Sequence, residues 1–213
     1  MDSSLSDRAR RVLIPPGIFL PRAESLSDRW TTYPEDRLES SELERFEAVV
    51  LPHLDAAYTL ARYLTRNDHD AQDVVQDASL RALRYFHGFR GAGSAEGRAW
   101  LLAIVRNTAY TWQRRRRADT LTTEFDEERH SESVADRHPE ATVEATSQRA
   151  ALRRAIDELG PEFREVIVLR ELEGLSYKEI SDVAGVPVGT VMSRLARARR
   201  RLEEALCADP EDC

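Results

Sequence analysis

Residues 118–147 most constrain what this chain can become: nine acids stand against Arg129 and Arg137, a balance of −7, with no clear apolar stripe. A segment of that kind cannot contribute much to a packed core and reads as a linker. On either side of it the apolar residues fall at helical intervals. From Ser41 onward, Leu43, Phe46 and Val50, then Leu54, Ala57, Leu60, Ala61 and Leu64 recur every three or four positions, the period of one helix face. A second helix is predicted from about Ala71 to Phe86. The stretch HGFRGAGSAEG that follows carries Gly88, Gly91, Gly93 and Gly97 and reads as a loop. RAWLLAIVRNTAYTWQRRRR is a further helix, apolar in its first half and basic at its end. Residues 148–206 are helical again, broken at Gly160-Pro161, Gly174 and Gly185. No strand-like alternation and no internal repeat stands out. The expected fold class is all-α: two small helical domains, 41–117 and 148–208, joined by an acidic flexible linker, with residues 1–40 as a flexible arm.

Composition narrows the function classes. Of the 213 residues, 41% are apolar and 32% charged, which suits a helix-rich chain with modest cores. No apolar run approaches the roughly 18 residues that span a bilayer. Near the N-terminus, VLIPPGIFLP is interrupted by Pro15, Pro16, Gly17 and Pro21 and makes a poor signal segment. Cys207 and Cys213 lack metal-ligand spacing, so neither a zinc site nor a disulfide framework is indicated. A cytoplasmic protein without membrane insertion is expected.

The net charge of −7 hides its distribution. Residues 88–117 hold seven arginines against Glu96, and residues 188–201 hold five with no acid, giving +6 and +5. Lys178 is the sole lysine, so the positive charge is almost all guanidinium, which suits bidentate recognition, although an arginine-favouring genome would explain it just as well. Two basic blocks around an acidic one fit a nucleic-acid binder better than the total suggests.

The C-terminal block has internal order. Ser176 and Glu179 form an S-x-x-E capping box, predicting a helix from Tyr177. That helix turns Ile180, Val183 and Ala184 inward and stops at Gly185. A second helix starts after Val186-Pro187. On a helical wheel, Val188, Val191, Leu195, Ala198 and Leu202 fall in one arc. Ser193, Arg197 and Arg200 point the other way, with Gly189, Thr190 and Ala196 nearby and Arg194 and Arg201 on the flank. A short helix, a glycine turn and an arginine-rich helix form the helix-turn-helix pattern, whose second helix reads base edges while flanking arginines hold phosphates.

A second cluster lies at NDHDAQDVVQD, where Asp68, Asp70, Asp73 and Asp77 crowd within residues 67–77. Asp70 and Asp73 make a plausible N-cap pairing. Val74, Val75, Ala78, Ala82, Tyr85 and Phe86 share the side expected to be buried. Asp73, Gln76 and Asp77 lie opposite, joined by Leu80, Leu83 and Arg84. Leucines among charges suggest a docking surface, and an ordinary solvated face stays open on the residues alone. A metal site is poorly supported, with no second ligand pair and His69 ahead of the helix. No nucleophile–base spacing or phosphate loop points to catalysis. The residues therefore indicate no catalytic group, no metal, no cofactor and no small-molecule substrate.

LRELEGLSYKEISDVAGVPVGTVMSRLARARRRL resembles region 4 of the extracytoplasmic-function (ECF) sigma factors, promoter-recognition subunits of bacterial RNA polymerase. DAQDVVQDASLRAL is similar to sigma region 2.2, and FRGAGSAEGRAWLLAIVRNTAYTWQRRRR to regions 2.3 and 2.4. The resemblance spans roughly residues 41–206. It implies a non-enzymatic factor that binds core RNA polymerase through the β′ coiled coil and the β flap, reads −35 and −10 promoter DNA, and nucleates strand opening. In the −35 module, Met192, Ser193, Ala196 and Arg197 take the base-reading slots, Thr190 approaches phosphate, and Arg194 and Arg200 complete the interface. Met192 stands where the family often has a basic residue, and Ala196 where it often has a larger one. For the −10 element the implied residues are Phe89 and Arg90 in the loop, Asn107 on the strand, and Arg106, Arg114 and Arg115 along phosphates. Trp100 is expected in the core. Asp70, Asp73, Gln76, Asp77 and Leu80 take the polymerase-docking positions, with Asp70 acting as a cap. The acidic segment matches the part that threads through the polymerase in this family, and an anti-sigma factor is the usual further partner.

Two other classes compete. A dimeric helix-turn-helix repressor or response-regulator output protein needs an effector or receiver domain, and no alternating βα pattern supplies one. A metal-dependent nuclease built on the Asp cluster would lose turnover on Asp73→Ala or Asp77→Ala.

Overall fold

The computed structural model describes residues 40–91, 93–122 and 143–207. The expected N-terminal arm and most of the acidic linker lie outside the described residues. The elements in order are α1 (Ser40–Val50), a 3₁₀ turn (Leu51–His53), α2 (Leu54–Thr65), α3 (Asp68–Tyr85), a 3₁₀ turn (Phe86–Gly88) and α4 (Ser94–Thr122). The second half contains α5 (Val143–Glu158), α6 (Pro161–Ile167), a π-helical segment (Val168–Leu172), α7 (Tyr177–Ala184) and α8 (Val188–Leu206). No strand occurs among the described residues, and the all-α class holds. None of the described helices is long and apolar enough to cross a membrane.

The start of α3 differs from expectation. Asn67, with φ −147° and ψ 134°, is the N-cap, and its side chain accepts a hydrogen bond from the Asp70 backbone N–H at 3.1 Å. A cap must sit in extended backbone, and Asp70 is already helical, so Asp70 does not cap. Asp68 and Asp70 instead place negative charge in the first turn, where the helix dipole favours it.

The glycine-rich loop is shorter than its sequence suggests, because α4 begins at Ser94 and takes Gly97 inside it. The need for glycine there is close approach: a Cβ on Gly97 would meet Val49 Cγ1 at 2.6 Å and the Val49 carbonyl oxygen at 3.2 Å, so α1 could not lie against α4. At its other end α4 runs past Arg117 to Thr122, into the stretch expected to be linker. Alanine, aspartate and threonine simply extend a helix that is already propagating.

Phe46, Phe86, Phe89 and Trp100 form an aromatic cluster at one end of the first half. Phe46 meets Phe86 edge-on at 5.3 Å, and Phe89 lies 4.9 Å from Trp100. Trp100 is buried, as expected. Leu43 and Val188 are not: each sits in the first turn of its helix, ahead of the point where burial begins at Phe46 and Val191.

The buried side chains of both halves make one continuous cluster, from Val50, Leu60 and Leu101 through Ile167 and Leu169 to Ile180 and Leu195. Helices α2 and α4 of the first half pack against α6 and α7 of the second. Arg164, 3% exposed, sits at this seam. Its guanidinium donates to the carbonyls of Ile156, Asp157 and Leu159 at the end of α5, at 3.1, 2.7 and 2.7 Å. It also reaches the Tyr63 carbonyl of α2 at 3.0 Å. A cation at a helix C-terminus satisfies orphan carbonyls and the dipole together.

Candidate nucleic-acid interface

The helix-turn-helix forms as the residues require. Ser176 accepts from the Glu179 backbone N–H at 3.3 Å, and the Glu179 carboxylate accepts from Ser176 N–H at 2.7 Å. Hydrogen bonding from the Ser176 side chain, and next from its backbone N–H, holds the Glu179 carboxyl below its usual range. Gly185 ends α7 with φ 66°, a left-handed conformation that glycine adopts without strain. Ile180, Val183 and Ala184 face inward, and α8 buries Val191, Leu195 and Ala198 beneath them.

The opposite face of α8 presents Met192, Ser193, Ala196, Arg197 and Arg200 to solvent, with Thr190 and Arg194 half-buried beside them. Met192 is 52% exposed, an apolar tip on an otherwise polar face. Ser193 Oγ donates to the Thr190 carbonyl at 3.0 Å, and Arg200 pairs with Glu204 one turn on at 2.8 Å. Arg199 bridges to Glu171 and Arg201 stacks on the Phe163 ring, so these two brace the motif. The exposed face carries serine and arginine donors, the side-chain types that can reach base edges and phosphates in a major groove.

The residues assigned to the −10 element are spread along the loop and α4. Phe89 is buried, stacked on Phe86 and tilted against Trp100, which leaves no open ring face for a base. Its part is to anchor the loop, while Arg90 beside it is exposed. Asn107 is half-buried, its side-chain oxygen accepting from Arg106 at 3.2 Å. Arg114 and Arg115 are exposed, and Arg114 follows Asn107 by two turns on the same side of α4. Arg106 points into the seam between the halves, where it pairs with Glu165.

On α3, Asp73 and Gln76 are exposed and Leu80 is 61% exposed, so the structure assembles them on one open face. Asp77 is held by Arg81 at 2.9 Å. Asp70 is turned toward α4, where Arg116 engages its carboxylate. Burial pushes the Asp70 carboxyl up despite that cation. No group of three or more His, Cys, Asp or Glu close enough to hold a metal occurs among the described residues.

Several residues escaped sequence reasoning. Arg45 of α1 donates to the carbonyls of Phe89 and Gly91 at 3.2 and 3.5 Å and lies over the Phe86 ring at 5.2 Å, and His53 meets Ser94 Oγ at 3.0 Å. Together they fasten the loop and the start of α4 to α1. Glu165 is fully buried, facing Arg106 and the Tyr110 hydroxyl, which donates to it at 3.3 Å. Burial pushes the Glu165 carboxyl up against the pull of Arg106, and burial beside this carboxylate likewise raises the Tyr110 phenol. The one local signal was Arg164-Glu165 interrupting the apolar run from Phe163 to Leu169.

Comparison with known proteins matches this geometry. The family model for sigma-70 region 2 matches residues 49–119, and that for sigma-70 region 4 matches residues 149–202. The ECF RNA polymerase sigma factor SigE of Mycolicibacterium smegmatis is 35% identical over 171 residues, covering 79% of this chain and 64% of that protein. The chain therefore spans under two thirds of that relative's length. The RNA polymerase sigma-H factor of Pseudomonas aeruginosa is 33% identical over 178 residues, 80% of this chain and 91% of the relative. The solved structure of the sigma factor RpoE in complex with the anti-sigma factor NepR from Bartonella quintana superposes with a TM-score of 0.65 at 28% identity, covering 78% of this chain and 99% of that one. With both regions present in order and each on the fold its residues build, the chain belongs to the ECF family of RNA polymerase sigma factors.

Proposed function

We propose that the chain directs transcription initiation as an ECF sigma factor: it binds core RNA polymerase, recognises −35 and −10 promoter elements, and promotes strand opening. The observation that carries this reading is the pairing, on one chain, of an open acid-and-leucine face on α3 with an exposed base-reading face on α8. Asp73, Gln76 and Leu80 serve as the polymerase-docking patch, with Asp77 joining when Arg81 swings aside. Met192, Ser193, Ala196 and Arg197 read the −35 element, while Thr190, Arg194 and Arg200 line its phosphates. Arg90 and Asn107 meet the opened −10 strand, Arg114 and Arg115 track its backbone, and Phe89 holds the loop that presents Arg90. The functional division follows the family regions: docking and melting in 41–117, −35 reading in 148–208, and the acidic stretch between them inside the polymerase. The factor is not itself an enzyme; opening is driven by binding the displaced strand and its unpaired bases.

An anti-sigma factor is the expected regulator, in keeping with the RpoE–NepR complex and with a second matching structure, CnrH in complex with the cytosolic domain of CnrY. Run-off transcription with purified core polymerase on a promoter library tests the reading. Transcripts starting downstream of a shared pair of elements are expected; no association with core and no transcript from any template would overturn it.

A further inference from the structure

Two rows of side chains run along the open face of α8, and they differ in chemistry. Met192 and Ala196 stand one turn apart, within about 40° of each other around the helix, and make an apolar row. Ser193 and Arg197 make a polar row beside it at the same spacing. All four are exposed, clear of the buried stripe of Val191, Leu195 and Ala198.

Each row can read only part of what a major groove displays. Ser193 Oγ gives its proton to the Thr190 carbonyl at 3.0 Å, so toward DNA it offers lone pairs alone. Such an acceptor suits the amino group of adenine or cytosine. Arg197 offers only donors and suits the paired acceptors of guanine. Neither Met192 nor Ala196 has a side-chain donor, and a thioether is a weak acceptor, so what they contribute is apolar contact. The groove displays a single apolar group, the C5-methyl of thymine. An exposed methionine by itself needs no partner. This one is 52% exposed in the first third of the presented helix, the part that meets base edges, with the small Ala196 beside it.

We propose that Met192 selects a thymine in the −35 element by packing its thioether chain against the C5-methyl group, with Ala196 small enough to leave that methyl room. The inference rests on the sigma-factor reading and adds the identity of one base. Both sides of the contact are hydrated before binding and dry after it, so the preference comes from burial alone and needs no change in hydrogen bonding. Taking one methyl group out of water is worth about fourfold in affinity. Ser193 and Arg197, working through hydrogen bonds, discriminate at neighbouring positions and do not sense the methyl.

Uracil differs from thymine only by that methyl, so it removes the contact while keeping every hydrogen-bonding group. Holoenzyme assembled from the full-length chain and core polymerase is titrated with duplex promoters taken from the run-off library, each −35 thymine being replaced in turn by uracil. One replacement is expected to weaken binding about fourfold. Met192→Ala should bring that thymine-to-uracil ratio to about one, and its thermal midpoint should match the wild type because the side chain is exposed. Arg197→Ala should weaken binding while keeping the ratio. A −35 element without thymine, or uracil that binds as well as thymine at every position, overturns the assignment. So does a methyl preference that survives in Met192→Ala, or one that Arg197→Ala abolishes as fully, since it would then report how the whole helix is seated. A wild-type chain that starts no transcript on any template overturns the sigma-factor reading instead.

Discussion

Arg164 and Glu165 are adjacent in sequence, and both reach across the seam, Arg164 to the Tyr63 carbonyl and Glu165 to Arg106. Arg164 also ties down its own half by gathering the Ile156 and Asp157 carbonyls of α5 and that of Leu159 just past it. Arg164→Met keeps much of the apolar stem but takes the guanidinium from four carbonyls, of which Ile156's alone keeps the Leu159 N–H, at 3.2 Å; urea unfolding is expected to show a loss of about 3–5 kcal/mol. A loss below about 1 kcal/mol would mean water satisfies them instead. Glu179 gives a pH signature. Its carboxyl is held below the ordinary value of 4.5, so its contribution is complete above that value and disappears as pH falls through the depressed folded-state value. The stability gap between wild type and Glu179→Gln should accordingly narrow as unfolding is measured from pH 7 down to pH 3. A gap that stays constant would assign the effect to shape rather than charge. Such local chemistry was legible in the sequence: Ser176, Glu179 and Gly185 do what their types and spacing dictate. Arg106–Glu165 was not, because its partners are 59 residues apart and no local pattern marks them as neighbours.

Helices were readable wherever apolar spacing and a cap agreed, as in α7 and α8. They were misread where side-chain type misled, as with Gly97, a loop residue by composition but a helical one because Val49 needs its space. The same holds for Phe89, an aromatic in a basic, glycine-rich stretch, which the Phe86–Trp100 cluster claims for the core. Two helices carry predictions of their own. On α8, Arg197→Ala should weaken binding by about 1–3 kcal/mol at one −35 position and relax preference there. A uniform loss over all promoter sequences in a competition assay would reduce Arg197 to a phosphate contact. On α3, Leu80→Glu should leave the thermal midpoint nearly unchanged, since the side chain is already 61% exposed, yet weaken association with core polymerase by about tenfold or more. Unchanged association would place the docking face elsewhere.

The two-region layout was visible from the charge pattern, but the closure of one half on the other was not, since a shared core depends on packing between distant segments. The basic end of α4, from Arg114 to Arg117, is exposed to solvent and should meet DNA. Neutralising Arg114 to Arg117 together should lower the salt slope of holoenzyme–promoter binding by about 2–3, near 0.7 for each single-strand phosphate that an arginine no longer neutralises. An unaltered slope would remove that end of α4 from the interface.

Burying Glu165 against a helix made earlier in the chain also sets a clock during synthesis. The ribosome delivers Tyr110 and its neighbours first, and 55 residues separate Tyr110 from the carboxylate that will cover it. At about 5–20 residues per second that gap lasts roughly 3–11 s. Throughout it the faces of α2 and α4 that α6 and α7 will cover stay in water, so the first half is held together by its own packing alone.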